Sequence, residues 1–305
     1  MSTVSPDAYA DLSPMRLQVP LAEWTTLRIG GPAEYFFQPP KPEQFADLLT
    51  RLEMDEVPFR LLGAGANVLA PDGGVLGAVI QSGGLRRMFR EENCLRLWPG
   101  VTLPQLVRSA TELGLSGVEK LIGVPGHIGG ALAMNAGSSD WGIWQQVKEV
   151  TLWLPGGELV AKTPQQIQPG YRNGNLGEAV VLEVLLELEV KPKADVKKEQ
   201  EAYLRKKNVS QPVTLSTAGC AFRNPQGGSA GQLIESVGLK GWQCGGIQVS
   251  PLHANFLVNT GGATAADVRL AMAHIQKTVL DQAGVALQTE LVIWPEPLPK
   301  TESSF

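Results

Sequence analysis

The sequence predicts an α+β protein with a larger N-terminal part and a smaller C-terminal part of about 100 residues. Three observations indicate this architecture. The chain has 305 residues, which is too long for one compact core. A strand-rich middle lies between helical segments. The composition changes in residues 191–212, a highly charged and predicted helical segment that is the best candidate for a domain boundary.

The N-terminal elements follow from periodicity and turn residues. Residues 41–54 carry apolar side chains at helical spacing, which predicts the first helix. A strand at 59–62 precedes a glycine-rich loop, and further strand, interrupted by Asp-Gly-Gly, extends to Gln81. A second helix begins at Leu103, and Gly114 is predicted to end it.

Strands dominate the middle of the chain. Residues 150–160 are typical of a hairpin closed at Pro-Gly-Gly. Residues 179–190 alternate apolar and partly polar side chains, as a half-buried strand does. The expected domains are therefore 15–192, with subdomains of about 15–80 and 81–192, and 200–297.

The C-terminal part contains one well-defined helix. The strand 254–259 precedes it, and a closing strand is predicted over 287–295. Thr264 is the predicted N-cap, with Asp267 three positions on and an apolar face beyond it. Gly284 is predicted to end this helix.

Composition and charge exclude several classes of protein. A net charge of −4 argues against nucleic acid as the main partner, because phosphate binding requires a basic field. The N-terminus lacks the features of a signal peptide, and no apolar run reaches the roughly 18–20 residues that span a bilayer. Three cysteines without a C-x-x-C pair and three widely separated histidines predict no disulfide scaffold, no metal site and a reducing cytoplasm.

Two glycine-rich loops are the first candidates for ligand binding. Residues 63–67 are small enough for backbone N–H groups to approach a pyrophosphate, although a tight structural turn also explains them. A Rossmann fingerprint is excluded, because Val68 replaces the third glycine and Pro71 forbids an immediate helix. Residues 123–137 contain five glycines and no charge, which favours a surface along a flat ligand over close backbone packing.

Three chemically active residues stand outside these loops. Arg172 follows Tyr171, Cys220 precedes the run AFRNP, and Glu290 lies near the C-terminus. Taken singly, such residues are ordinarily a surface arginine, a small core cysteine and a strand-edge carboxylate. Their spacing in the sequence does not bring them together, and only a fold can do so.

Eight sequence blocks resemble one enzyme family. In chain order they are TTLRIGGPA, LLGAGANVL, GVPGHIGGALAMNAG, GYRN, AGCAFRNP, AGQLIESVGLKG, VSPLHANFLVN and LQTELVIW. They extend from about Thr25 to Trp294 and are similar to the UDP-N-acetylenolpyruvoylglucosamine reductases (MurB), in particular to the shorter, type II branch. Each block alone is weak evidence, whereas eight in register are highly specific.

The resemblance implies a flavoenzyme. An FAD-binding domain of the vanillyl-alcohol-oxidase (PCMH) type, made of two α+β subdomains, precedes a smaller α+β substrate domain. NADPH reduces non-covalently bound FAD and leaves, and UDP-N-acetylglucosamine enolpyruvate is then reduced to UDP-N-acetylmuramate. The resemblance implies that this is an early cytoplasmic step of peptidoglycan synthesis. The expected partners are these two small molecules, and we expect a monomer.

The resemblance also implies contacts for individual residues. Contacts with FAD are expected at Gly63, Ala64, Gly65, Ala66, Asn67, Pro125, His127, Gly129, Gly130, Asn135, Ala136 and Gly137. Contacts with the UDP-sugar substrate are expected at Tyr171, Asn224, Lys206, Lys207 and His253.

Three residues match catalytic positions of the family. Arg172 and Glu290 match positions that stabilise the negative charge developing beside the substrate carboxylate, where Glu290 helps only if it is protonated or orients Arg172. Cys220 matches a serine that protonates the α-carbon, and Arg223 stands in place of a lysine, so the chain departs from the family pattern at both positions. A free thiol, with a pKa of about 8.5, is a far stronger acid than a hydroxyl and can serve as the donor.

Two other classes of protein stay open on the sequence alone. One is a flavin-dependent alcohol or sugar oxidase on the same superfold, and the other is a non-catalytic flavin-binding or nucleotide-sugar-binding protein. Bleaching of the flavin by NADPH, followed by recolouring with UDP-N-acetylglucosamine enolpyruvate, separates the three.

Overall fold

The structure, a computed structural model, describes residues 6–138 and 140–297. Within them the strands are β1 (Arg16–Pro20), β2 (Pro32–Phe37), β3 (Phe59–Leu62), β4 (Val68–Leu69), β5 (Val75–Gln81), β6 (Met88–Glu91), β7 (Cys94–Leu97), β8 (Leu115–Ser116), β9 (Val147–Trp153), β10 (Leu159–Lys162), β11 (Val180–Glu187), β12 (Glu189–Val190), β13 (Thr217–Cys220), β14 (Gln243–Cys244), β15 (Ile247–Val249), β16 (Phe256–Asn259) and β17 (Val292–Ile293). The α-helices are α1 (Pro42–Met54), α2 (Leu103–Glu112), α3 (Ile128–Ala133), α4 (Pro164–Ile167), α5 (Lys193–Ser210), α6 (Ala230–Ser236) and α7 (Ala265–Ala283).

The chain divides into two compact units, each made of segments that are separate in sequence. Unit 1 takes the chain up to Arg16, Phe36–Ala64 and Ile80–Val213. Unit 2 takes Leu17–Tyr35, Gly65–Val79 and the chain from Thr214 onward. The glycine-rich loop 63–67 is therefore divided, its first two residues belonging to unit 1 and the rest to unit 2.

Unit 1 contains a five-stranded sheet with the order β10-β9-β11-β7-β6. All four of these neighbouring pairs are antiparallel. Apolar side chains of this sheet, together with the apolar faces of α2 and α3, form a large buried core. The buried members of this core all come from residues 95–188, so this part of unit 1 folds from one continuous stretch of chain.

Unit 2 contains a four-stranded antiparallel sheet with the order β13-β16-β15-β14. The apolar faces of α6 and α7 share one core with this sheet. Leu27, Ile29 and Leu69 belong to the same core, although the rest of it comes from the region between Ala218 and Leu291. The C-terminal part of the chain therefore completes its core with residues from N-terminal segments.

The structure confirms most of the predicted elements. Helices α1, α2 and α5 occupy the predicted segments, and the hairpin β9–β10 closes at Pro-Gly-Gly. Helix α7 begins with a reciprocal cap, in which Thr264 Oγ1 accepts the N–H of Asp267 and the Asp267 carboxylate accepts the N–H of Thr264. Gly284 ends this helix with a left-handed φ of +68°.

One predicted strand is wrong in its extent. The closing strand predicted over 287–295 is only Val292–Ile293, which pairs in parallel with β4. The residues before it make separate backbone bonds instead: the N–H of Arg223 donates to the carbonyl of Gln288 at 2.8 Å, and the N–H of Glu290 donates to the carbonyl of Ala221 at 2.9 Å. Leu287, Leu291 and Trp294 are buried here without a continuous ladder.

The strands on either side of Asp-Gly-Gly exist but lie in different sheets. Strand β4 pairs with β17, whereas β5 lies in a four-stranded sheet with the order β1-β2-β5-β3. Asp-Gly-Gly therefore separates two strands that do not pair with each other.

Neither a membrane span nor a metal cluster is found in the described residues. No helix among them has the length and apolar character needed to cross a bilayer. The described residues also contain no group of three or more His, Cys, Asp or Glu side chains that could hold a metal ion. Cys94, Cys220 and Cys244 form no disulfide, and only Cys94 is fully buried.

Candidate active site

The glycine-rich loop 63–67 presents backbone N–H groups and no bulky side chain. Gly65 has a φ of +64°, and a Cβ there would lie 2.1 Å from the carbonyl oxygen of Trp24, so the position requires glycine. The carbonyl of Gly65 accepts the N–H of Thr26 at 3.1 Å. Within the described residues, the amides of residues 64–66 donate no hydrogen bond. Successive amides that are available for bonding suit an anion such as a diphosphate.

Residues 125–130 form a second strip of available backbone, in unit 1. Three backbone hydrogen bonds of 2.9–3.0 Å hold this strip against residues 99–103. In the described part of the chain, the N–H groups of His127 and Gly130 donate to no acceptor. A Cβ built at Gly130 meets no atom within 4 Å, so the backbone there faces open space. A neutral strip of this kind suits a flat ligand with polar edges.

A polar network in unit 1 connects these two backbone segments. Ser82 Oγ lies 2.9 Å from His127 Nδ1. Gln81 is 4% exposed, its Nε2 donates to the carbonyl of Gly63 at 2.9 Å, and its Oε1 accepts the N–H of Gly83 at 2.7 Å. Sequence reasoning missed both Gln81 and Ser82. A glutamine that ends the otherwise apolar strand β5, directly before Ser-Gly-Gly, was the available signal.

The imidazole of His127 is neutral at physiological pH. Burial lowers its pKa to about 4, and the positive charge of Arg86 acts in the same direction. A neutral imidazole has one donor and one acceptor nitrogen. Because Ser82 occupies Nδ1, the network restricts how the ring is oriented.

Residues 135–137 turn the chain after α3 and use several polar groups internally. Asn135 has a φ of +43°, its Nδ2 donates to the carbonyl of Gly170 at 2.8 Å, and its Oδ1 accepts the N–H of Trp144 at 3.4 Å. The N–H of Ala136 donates to a carbonyl of α3 at 2.8 Å. The expected FAD contacts of residues 135–137 stay predictions, and the side chain of Asn135 is engaged with backbone.

Arg172 stands at the corner of a tight turn in unit 1. Gly170 and Asn173 exchange backbone hydrogen bonds of 2.8 and 3.2 Å. Arg172 has a φ of +51°, which is uncommon for a residue other than glycine. Its guanidinium carbon lies 4.9 Å from the centre of the Tyr171 ring, in a cation–π contact. The turn thus presents the arginine from a defined backbone conformation.

Cys220 ends strand β13 in unit 2 and is followed by a tightly held segment. Asn255 is 2% exposed, its Oδ1 accepts the N–H of Phe222 at 3.0 Å, and its Nδ2 donates to the carbonyl of Phe222 at 2.8 Å. A small apolar cavity borders Cys220. Asn255 is a third residue that sequence reasoning missed as part of the site. Its only signal was an amide at the start of an apolar strand.

Unit 2 brings three predicted site residues together. The N–H of Glu290 donates to the carbonyl of Ala221, which adjoins Cys220. The carbonyl of Glu290 accepts Nδ2 of Asn67 at 3.2 Å. Cys220, Glu290 and Asn67 are far apart in sequence, so the fold alone creates this cluster. Arg172 belongs to unit 1.

Asn224 and His253 both lie at the first turn of α6 in unit 2. Asn224 Oδ1 accepts the N–H of Ala230 at 3.0 Å. His253 Nδ1 accepts the N–H of Asn255 at 3.3 Å, and its ring packs edge-on against Phe256 with 4.9 Å between centroids. Burial lowers the pKa of His253, which favours the neutral ring.

The two neighbouring lysines of α5 have different environments. Lys206 is exposed, whereas Lys207 Nζ donates to the carbonyls of Lys120 and Ile122, both at 2.7 Å. Burial lowers the pKa of Lys207 to about 8. Lys207 therefore holds the turn that precedes residues 125–130. The expected contact of either lysine with a substrate diphosphate stays a prediction.

Two known protein families match different parts of the chain. The family described as FAD binding domain matches residues 33–162. The family described as UDP-N-acetylenolpyruvoylglucosamine reductase, C-terminal domain, matches residues 211–294. The first match contains both strips of available backbone, and the second contains Cys220 and Glu290. The protein is therefore an FAD-dependent oxidoreductase.

Relatives over almost the full length define the family. The UDP-N-acetylenolpyruvoylglucosamine reductase of Clostridium perfringens (strain 13 / Type A) is 36% identical over 276 residues, which is 90% of this chain and 91% of that protein. The enzyme of the same name from Nitrosococcus oceani is 38% identical over 286 residues, 93% of this chain and 96% of that protein. The chain belongs to the family of UDP-N-acetylenolpyruvoylglucosamine reductases.

Solved structures confirm the expected fold. The crystal structure of UDP-N-acetylenolpyruvylglucosamine reductase (MurB) from Thermus caldophilus matches with a TM-score of 0.79 and 35% identity, covering 92% of this chain and 100% of that chain. The crystal structure of cholesterol oxidase from B. sterolicum matches with a TM-score of 0.50 and 14% identity, covering 62% of this chain and 40% of that one, and shows the fold alone. The predicted α+β class with an FAD-binding domain of the oxidase type is confirmed.

Proposed function

We propose that this protein catalyses the NADPH-dependent reduction of UDP-N-acetylglucosamine enolpyruvate to UDP-N-acetylmuramate, in peptidoglycan precursor synthesis. The observation that carries the proposal is 36–38% identity to reductases of that name over 90–93% of the chain. The enolpyruvyl double bond gains a hydride and a proton, and NADPH becomes NADP⁺. Both reactants are nucleotides, and we expect the reaction to take place in the cytoplasm and the enzyme to be a monomer.

The two strips of available backbone supply what FAD requires. The amides of residues 63–67 suit its diphosphate, and residues 125–130, together with His127, suit its flat ring system. When bound, FAD supplies the two-electron hydride relay between NADPH and the substrate. Asn67, Ala136 and Gly137 are further candidates for contacts with it.

Non-covalent binding of FAD has a direct test. Acid denaturation should release all of the yellow colour into the supernatant. Yellow colour that stays with the precipitated protein would show a covalent bond, for which His127 would be the first residue to examine.

Arg172 binds the substrate carboxylate in this proposal. Addition of a hydride to the methylene carbon leaves negative charge on the α-carbon, and this charge spreads into the neighbouring carboxylate. A guanidinium can hold that carboxylate through two parallel N–H donors. Donors preorganised at such a charge contribute about 3–4 kcal/mol each to transition-state stabilisation. Tyr171 restricts the arginine through its stacked ring.

Cys220 supplies the proton that completes the reduction. Its S–H bond breaks as a C–H bond forms at the α-carbon, and solvent then reprotonates the thiolate. The two hydrogen bonds from Asn255 to Phe222 fix the backbone that follows the thiol. Glu290 lies beside this segment, where a protonated carboxyl group can donate a hydrogen bond to the developing anion.

The UDP part of the substrate is the remaining partner. At the first turn of α6, Asn224 is exposed and His253 is half-buried, and the carboxamide nitrogen of Asn224 can donate to a phosphate or uracil oxygen. Of the two lysines, Lys206 is exposed, whereas Lys207 already donates to two carbonyls. We assign a direct phosphate contact to Lys206. For Lys207 we assign a contact through the one ammonium proton that is not donated to the carbonyls of Lys120 and Ile122.

One anaerobic titration tests the proposed function. NADPH should bleach the flavin absorbance of the purified protein, and UDP-N-acetylglucosamine enolpyruvate should restore it stoichiometrically with formation of UDP-N-acetylmuramate. A flavin that NADPH reduces but this substrate does not reoxidise would contradict the proposal. Oxidation of an alcohol or sugar by oxygen would indicate the oxidase class, and absence of both half-reactions would indicate a binding protein.

A further inference from the structure

Asn135 is bonded to the turn that carries Arg172. We infer that Asn135 is a positioning residue for Arg172 and not a ligand of FAD. The inference rests on the proposed function, because it concerns the arginine that binds the substrate carboxylate. It goes beyond that function because it assigns a role to Asn135, whose side chain is hydrogen-bonded to two backbone groups of the protein.

The turn 170–173 is anchored at both ends to the chain that leaves α3. At its start, Asn135 Nδ2 donates to the carbonyl of Gly170 at 2.8 Å. At its end, the N–H of Gly174 donates to the carbonyl of Ala133 at 2.8 Å. A Cβ built at Gly174 would lie 2.1 Å from a carbonyl oxygen of α3, so the chain passes very close to the helix. Of these two anchors, only the first depends on a side chain.

The carboxamide of Asn135 is oriented for this one task. The N–H of Trp144 requires an acceptor and the carbonyl of Gly170 requires a donor, so only one orientation of the amide satisfies both. The group also packs against Gly142, where an added Cβ would lie 2.2 Å from Oδ1. Asn135 has a left-handed φ of +43°, which asparagine tolerates better than most residues.

Packing does little to hold the turn itself. Gly170 and Asn173 are exposed, and Tyr171 is 41% exposed. A Cβ built at Gly170 meets no atom within 4 Å. Because little apolar surface is buried here, the polar anchors have a large share in keeping Arg172 in its left-handed conformation. Loss of the Asn135 bond therefore loosens the guanidinium while the strip 125–130 keeps its own backbone bonds.

The substitution Asn135→Gly isolates this role. Glycine accepts the positive φ but removes both side-chain hydrogen bonds. A displacement of about 1 Å in a substrate-positioning group can lower the rate about a hundredfold. We expect reoxidation of the reduced flavin by UDP-N-acetylglucosamine enolpyruvate to slow at least about tenfold, with FAD content and reduction by NADPH within about twofold of the wild type.

The matched control is Asn93→Gly. Asn93 is also half-buried in unit 1, and its Nδ2 donates to a backbone carbonyl, that of Leu188, at 3.1 Å. It lies outside the proposed site. The FAD-loaded wild type and both variants are compared by anaerobic stopped-flow absorbance, one half-reaction at a time. The control should leave both half-reactions unchanged.

Several results would overturn the inference. Equal behaviour of the two variants would show that the Gly170 bond does not matter for the chemistry. Loss of FAD, or an equally slow reduction by NADPH, would show that Asn135 serves the cofactor. If the wild type itself is not reoxidised by the substrate, the proposed function fails and the inference fails with it, a result that needs no variant.

Two further variants cover a failure of Asn135→Gly to fold. Asn135→Asp keeps the shape and the acceptor for Trp144 but cannot donate to Gly170, so the same selective loss is expected. In an Arg172→Ala background, adding Asn135→Asp should change the reoxidation rate by less than about twofold, because the residue acts through the arginine. Multiplying effects in the double variant would contradict a role through Arg172.

Discussion

Unit 1 and unit 2 hold their proposed site residues by different means. In unit 1, the strip 125–130 and the anchor Asn135 lie within the stretch 95–188 that supplies the core around them. In unit 2, the segment after Cys220 is held by the side chain of Asn255, which directly precedes β16, and by the backbone of Glu290. The core beneath it includes apolar residues from two N-terminal segments.

The difference lies in the core beneath the anchors, because the side-chain anchors themselves close loops of similar length. Asn135 and Gly170 are 35 residues apart, and Phe222 and Asn255 are 33 residues apart. The loss of chain entropy is therefore similar in both units. Substitutions at these anchors should lower stability to a similar extent and should differ in which function is lost.

The largest expected effect is on the chemistry of Cys220 itself. Cys220→Ala should slow reoxidation of the flavin by the substrate by about 10²–10⁴-fold, the usual contribution of a general acid, while reduction by NADPH is unchanged. Single-turnover absorbance measurements under anaerobic conditions separate the two rates. Cys244→Ala, at another half-buried cysteine of unit 2, is the control and should retain both rates.

A serine variant sharpens the assignment of the donor. Cys220→Ser introduces a hydroxyl, the group that the family resemblance implies at this position. On a logarithmic scale, it should recover more than half of the decrease in the reoxidation rate that the alanine variant shows. If alanine and serine variants are both as fast as the wild type, the proton comes from another group.

A pair of buried carboxamides compares the two units directly. Asn255→Leu leaves the N–H and carbonyl of Phe222 without partners, and Gln81→Leu does the same to the carbonyl of Gly63 and the N–H of Gly83. Each should lower the free energy of unfolding by about 2–4 kcal/mol, measured by urea denaturation.

The functional losses of this pair should differ. Asn255→Leu should slow reoxidation by the substrate and keep FAD, because it disturbs the segment after Cys220. Gln81→Leu should lower FAD occupancy, measured by absorbance per protein, because it disturbs Gly63. The comparison between the units breaks down if both variants lose the same function.

His127 in unit 1 should make the free energy of unfolding fall more steeply at acidic pH than it does in a His127→Gln variant. Its pKa is about 4 in the folded protein and about 6.5 when unfolded, so the unfolded state binds more protons between these values. The stability contribution is present above pH 6.5 and is lost as the pH falls toward 4, by roughly 2 kcal/mol between pH 7 and 5. His127→Gln should show a correspondingly smaller loss in urea titrations, and identical pH slopes would contradict the prediction.

The smallest expected effect concerns a long-range cap in unit 2. The Asp72 carboxylate accepts the N–H of Ala265 at 2.7 Å and that of Ala266 at 3.0 Å, at the N-terminus of α7. Asp72→Ala should lower the free energy of unfolding by about 1–2 kcal/mol. The control Asp281→Ala removes an exposed ion pair with Lys277 and should change it by less than about 0.5 kcal/mol. Equal losses would mean that Asp72 does not cap the helix.

Local sequence patterns determined the regular elements. The caps of α7 and the stop after α2 were predictable because each involves residues a few positions apart. The eight blocks also indicated the family, and through it FAD, because they preserve residue types in a fixed order. The closing strand was overextended, because a run of apolar residues indicates burial and does not show which backbone bonds are made.

Only the tertiary structure decided how the proposed site is supported. Gln81, Ser82 and Asn255 form hydrogen bonds with residues distant in sequence, which no local pattern predicts. Asn135 likewise donates to the carbonyl of Gly170. Periodicity records which face of an element is buried, whereas a hydrogen bond between distant segments depends on the fold of both. The amino-acid sequence alone therefore determined the family, the cofactor and most of the helices, and the fold decided which polar side chains hold the chemistry in position.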